Sequence, residues 1–301
     1  MAAALSPLAS EVRRHDRDRF VTVLFAPAER REALFALYAF NSEIARIRES
    51  VTEPLLGEMR LQWWRDALAT IYGGGDLAHP VARGLAEAIR ARDLSRENLE
   101  RLIDARAADL VNGPPDTLAT LEAYAQGTAA TLVTAALEAL GARGEAARAI
   151  ARDAGIGWAL VGLLRAIPFH ASSNRLFLPA DLLAAQGLSP EDALTPPSEK
   201  SSLPRKRESN GQMDSGFRGN DEGMQRVARS LAERAHQHLA GARTMRSTVP
   251  RTARAALLIV PLAETYLARL ARANHNLWDR NWSVTRPSVA KLALRSLTRG
   301  F

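Results

Sequence analysis

Cysteine is absent from the 301 residues. That excludes a disulfide framework, thiol catalysis and any thiolate-held zinc or iron–sulfur centre. Aromatic residues are scarce at 6%, and β-branched residues are thin, so the chain is short of the side chains that favour strands. Lysine is nearly missing: Lys200, Lys206 and Lys291 are the only three. No apolar run approaches the ~20 residues needed to cross a bilayer; the longest are Gly155–Leu164 and Ala255–Ala263. The first residues lack a basic leader followed by a long apolar core, so no signal peptide is expected, and the predicted location is cytoplasmic, at most peripheral to a membrane. Glycine-rich phosphate loops, HExxH and the nucleophile elbow are all missing.

Alanine, leucine, arginine and glutamate fill the space. All are strong helix formers, and they predict an all-α protein. At 47% hydrophobic and 24% charged, the composition is that of an ordinary globular chain long enough to bury a full core. The formal net charge of +7 is unevenly placed. Residues 223–301 carry 14 Arg and Lys against 3 Asp and Glu, which leaves 1–222 net acidic. A basic C-terminal third points to an acidic partner such as a diphosphate, an anionic lipid surface or an acidic protein. Nothing in it matches a nucleic-acid recognition motif, and no nucleic-acid partner is expected.

Apolar spacing predicts helices from Pro27 past Ile47, from Pro54 to Gly73, from His79 through Ile89, from Ser95 to about Leu110, from Thr117 to Gly141 and from Ala146 to Pro168. Further helices are expected from Met224 to Thr248, from Ala253 to His275 and after Pro287. Residues 195–223 differ: they are polar, rich in Ser, Gly and Pro, and aperiodic. They read as a disordered surface insertion in one domain spanning 1–301.

The chain resembles the squalene/phytoene synthase family. Its landmarks are Pro27 through Phe40 (PAERREALFALYAF), Trp64 and Arg65, His79 through Val81, Asp104 through Leu110, Leu121 through Tyr124, and Arg175 through Pro179 (RLFLP). The resemblance implies an isoprenoid-synthase-like helical bundle around a central cavity. Working members join two prenyl diphosphates head-to-head. They do so with two aspartate pairs at i, i+4, which share a helix face and hold Mg²⁺ on the leaving diphosphate.

Both pairs are degenerate here. Aligned on the landmarks, the first falls on Ala45 and Glu49, and the second on Ala166 and His170. Alanine cannot ligate a metal, so no metal site and no resident cofactor are expected; Mg²⁺ belongs only to the alternative in which the chain is a prenyl transferase. Arg46, Arg48, Arg165 and Arg175 are candidates for binding an anion or lipid directly; the competing reading pairs them with Glu43 and Glu49. Glu100 with Asp104 reads as a solvated face, Asp109 and Asp181 as isolated, and His170 as structural. Trp63, Trp64 and Trp158 read as core.

Within the family, the branch of the mitochondrial complex I assembly factor lacks the acidic motifs, and this chain resembles it most in Asn41, Glu43, the segment Gly57–Arg65 and Leu164–His170. The resemblance implies a non-catalytic protein acting in assembly of respiratory complex I (NADH–quinone oxidoreductase). It also implies a complex I subunit or assembly intermediate as partner, with an anionic membrane surface or prenyl lipid as further candidates.

Overall fold

In the computed structural model, which describes residues 5–196 and 215–283, the chain is helical, and no strand occurs among the described residues. The helices are α1 (Pro7–His15), α2 (Arg17–Val23), α3 (Ala28–Ala45), α4 (Pro54–Tyr72), α5 (Pro80–Arg92), α6 (Arg96–Ala105), α7 (Leu118–Ala125), α8 (Thr131–Ala139), α9 (Glu145–Ser172), α10 (Ala180–Ala184), α11 (Pro190–Leu194), α12 (Ser215–Thr244), α13 (Ile259–Arg272) and α14 (Arg280–Ser283). Proline opens α1, α4, α5 and α11, where its missing amide costs nothing. Ser6, Ser95 and Thr117 cap α1, α6 and α7 by accepting from a backbone amide of the first turn.

The core is built on α9. This 28-residue helix is long and apolar enough to cross a membrane, yet it packs most extensively against α12, then α8 and α13. Gly155 explains how the turn leading into α8 comes so near: a Cβ there would sit 2.2 Å from the Cα of Ala130. Gly157 likewise lets Leu239 of α12 close in. Around this centre α3 packs on α5 and α1, and α4 and α8 pack on α6.

Several boundaries differ from the sequence expectation. The single helix expected over Thr117–Gly141 is interrupted by a π-turn at Gln126–Ala130, the stretch pressed against Gly155. The helix expected from Ala253 begins instead as a 3₁₀ run, Arg251–Leu257; Pro261 then falls in the first turn of α13, where its missing amide breaks no helical hydrogen bond. The insertion expected over 195–223 is shorter at its C-terminal end. Residues 215–223 are the opening turns of α12, anchored where the Asn220 amide donates to Asp192 at 2.9 Å. Residues 197–214, and the helix expected after Pro287, lie outside the described residues.

Candidate functional site

The first degenerate motif lies where α3 ends. Ala45 is its last residue, and Glu49 follows in a 3₁₀ turn, Arg48–Ser50. Glu49 points into solvent and forms no ion pair among the described residues. The pairing of Arg46 and Arg48 with Glu43 and Glu49 does not form. Arg46 lies 3.0 Å from His15 Nε2, and Arg48 reaches the Val51 carbonyl at 3.4 Å.

The second motif lies near the C-terminal end of α9. Arg165 donates to Asp18 at 2.9 Å and stacks 3.7 Å from the centre of the Tyr266 ring. The Tyr266 hydroxyl donates to both oxygens of the same Asp18. Burial pushes the Tyr266 phenol above its ordinary range, against the opposing charge of Arg165. Helix α2, the C-terminal part of α9 and α13 therefore meet at one carboxylate, which Arg165 neutralises.

A second carboxylate is equally committed. Asp109, read from the sequence as isolated, is buried at a hub. It accepts from Arg106 at 3.2 Å and from the Tyr124 hydroxyl at 2.8 Å. Arg106 also donates to Tyr124 at 2.9 Å and reaches Asn41 at 3.5 Å. Arg175 donates to the Asp109 carbonyl at 3.3 Å and lies 3.8 Å from its carboxylate. His170 sits beside this hub, its ring 4.7 Å from that of Phe177. Burial, reinforced by Arg175 and opposed by Asp109, pulls the His170 pKa down to about 4. The imidazole is therefore neutral at pH 7, and its buried Nδ1 has no partner among the described residues.

The four candidate arginines thus fall into separate settings. Arg175 lines a pocket of about 330 Å³ with Tyr124, Phe177 and Asp116, and Arg46 lines another of about 300 Å³ with Arg60 and Trp63. Arg165 lies in the Asp18–Tyr266 cluster. Sequence reasoning missed Asp18 and Tyr266, whose partners are far away in the chain, and read Arg106 as a partner of the Glu100–Asp104 face, whereas it pairs with Asp109. Asp104 pairs with Arg65, Glu100 with Arg96 and Arg101 with Glu97, so this acidic face is a row of solvated ion pairs. His238 is held between Asp153 at 3.1 Å and Glu122 at 3.3 Å. Arg234 grips that same Glu122, and this bond, above all, keeps the carboxyl below its ordinary pKa.

These residues do not fit a diphosphate-binding Mg²⁺ pair. Two of the four positions are alanines without a donor atom, the third is a solvent-facing glutamate, and the fourth is a neutral imidazole on an aromatic ring. The nearby buried carboxylates, Asp18 and Asp109, already serve arginines and a tyrosine. No group of three or more His, Asp or Glu side chains is arranged to hold a metal ion among the described residues.

Comparisons with known proteins bear on the family and the fold. Residues 12–291 match the model of the squalene/phytoene synthase family. The chain is 32% identical over 267 residues to NADH dehydrogenase (ubiquinone) complex I, assembly factor 6 of Bos taurus, covering 89% of this chain and 74% of that protein. The human protein of the same name is 31% identical over the same extent. A presqualene diphosphate synthase of Rhodopseudomonas palustris is 27% identical over 176 residues, 58% of this chain and 62% of that protein. The crystal structure of a squalene synthase from Alicyclobacillus acidocaldarius superposes with a TM-score of 0.72 at 21% identity, covering 89% of this chain and 93% of that one. A dehydrosqualene synthase in complex with ligand superposes with a TM-score of 0.76 at 14% identity, covering 98% of this chain and 96% of that one. The fold is that of the isoprenoid synthases, and the chain belongs to the squalene/phytoene synthase family.

Proposed function

We propose that this chain acts in the assembly of respiratory complex I, as a family member that no longer ionises prenyl diphosphates. One observation carries the reading: Ala45 and Ala166 stand where metal-binding carboxylates are needed, while Asp18 and Asp109 are spent on internal arginines. Without a cation to offset it, charge developing on a departing diphosphate is left uncompensated. The similarity to assembly factor 6 over most of the chain supplies the biological role. The partner in this reading is a complex I subunit or assembly intermediate, met at the cytoplasmic face of the inner membrane.

The experiment is NADH-to-quinone activity in membranes of a gene-deletion strain, with and without complementation. Activity should fall on deletion and return with the gene. In parallel, the purified protein is incubated with farnesyl diphosphate and Mg²⁺, and diphosphate release should stay at the level without enzyme. Unchanged NADH-to-quinone activity, or Mg²⁺-dependent release with a condensed hydrocarbon product, overturns the reading; the latter would make the chain a prenyl transferase.

A further inference from the structure

Helix α4 is apolar on two opposite sides. Leu61, Trp64, Leu68 and Ile71 face the core. Leu55, Leu56, Met59 and Trp63 face solvent, with exposures of 70%, 46%, 61% and 42%. At 100° per residue these four fall within about 100° of arc, a continuous stripe two turns long. Of the three tryptophans expected in the core, Trp64 and Trp158 are buried there and Trp63 is not. Scattered exposed apolar residues need no explanation, but a contiguous stripe that includes Trp and Met marks an interaction surface.

The borders of the stripe carry opposite charges. Glu58 and Gln62 run along one side, and Gln62 donates to Asp66 at 2.8 Å at the far end; Arg65, on the same side, donates to Gln62 and is paired with Asp104. Arg60 runs along the other side, tethered to Ser50. There Arg46, Arg60 and Trp63 line the pocket of about 300 Å³, with Glu43 as its acid. That pocket is large enough for one anchoring side chain. An anionic bilayer would press Glu58 and Asp66 against charge of their own sign. A helix with its own apolar stripe, acidic where it meets Arg60 and basic where it meets Glu58, satisfies both borders at once.

We propose that the outward face of α4 is the docking surface for an amphipathic helix of a partner protein. Its assignment to a complex I protein rests on the assembly reading; the surface itself does not.

The test places a photoreactive benzoylphenylalanine at position 55 or 59 of the full chain in living cells and maps the crosslinked peptides. Crosslinks from both positions should fall on residues three or four apart in one identified protein. Arg60→Glu should lower their yield about tenfold. Met59→Glu, combined with the probe at 55, should do the same. Both variants should keep the parent's melting temperature, because these side chains are solvated. Crosslinks to phospholipid alone, to a second copy of the chain, or none above the unirradiated control would overturn the proposal. The two readings fail separately. A deletion strain with full complex I activity removes the assembly role, while mapped crosslinks to another protein's helix keep the surface. A strain rescued fully by Met59→Glu, with no mapped crosslinks, removes the surface and keeps the role.

Discussion

The Tyr266 hydroxyl donates to both oxygens of Asp18, at 3.0 and 3.1 Å, across 248 positions of the chain. With Arg165 on the same carboxylate, this contact fastens α2 to α9 and α13 beside the degenerate second motif. Asp18→Asn removes the charge that neutralises Arg165. Its cost should be about 2–3 kcal/mol, because a hydrogen-bonded charge pair away from bulk water is lost. Tyr266→Phe keeps the ring stacked on Arg165 and loses only the hydroxyl, and should cost about 1–2 kcal/mol. Urea unfolding of both variants checks the order: Asp18→Asn must be the less stable.

Two glycines on α9 should respond to alanine with opposite signs. At Gly155 a Cβ would meet the backbone of Ala130 at 2.2–2.4 Å, and neither helix can yield without shifting. Gly155→Ala should destabilise by about 3 kcal/mol, the upper end for overpacking. At Gly162 nothing lies within 4 Å of the added atom. Gly162→Ala should stabilise by about 0.5–1 kcal/mol through helix propensity alone. Melting temperatures of the pair decide the matter; equal effects would mean that the turn Gln126–Ala130 does not approach α9 as described.

The helices and the family were legible in the sequence, because each rests on local patterns. Contacts made across the fold were not. Beyond Arg106, three residues before it, the partners of Asp109 are Tyr124 and Arg175, 15 and 66 residues away, which no local pattern brings to it. Nor could spacing sort α4. Met59, Leu61, Trp63 and Trp64 are apolar on both faces of one helix, and periodicity alone does not say which face is buried. The polar composition of 215–223 hid the start of α12, since the anchor from Asn220 to Asp192 is a tertiary contact.

Glu49 is the one carboxylate left at the four expected positions, and it tests whether any metal chemistry survives. It lies in a solvated 3₁₀ turn without an ion pair among the described residues. Surface substitutions of this kind change stability by about 0.5 kcal/mol or less. Glu49→Gln should therefore complement the deletion strain to wild-type NADH-to-quinone activity. A loss of function with the fold intact would show that this carboxylate still does chemistry.

His170 makes stability depend on pH. Its imidazole titrates near 6.5 in the unfolded chain and at about 4 in the folded one, because burial penalises the cation and Arg175 repels it. Between those values the unfolded state binds more protons, so acid favours unfolding. The folded state keeps its full stability from this residue above pH 6.5. It loses that stability as the pH falls toward 4, and the loss levels off below that pH at about 3 kcal/mol. His170→Gln carries no titrating group, so its stability should run parallel to the parent above pH 6.5. The difference between them should then move steadily in the variant's favour down to pH 4. Denaturant unfolding at half-unit pH steps measures this directly. A constant difference across the window would mean that the imidazole titrates alike in both states, and that Phe177 and Arg175 do not enclose it.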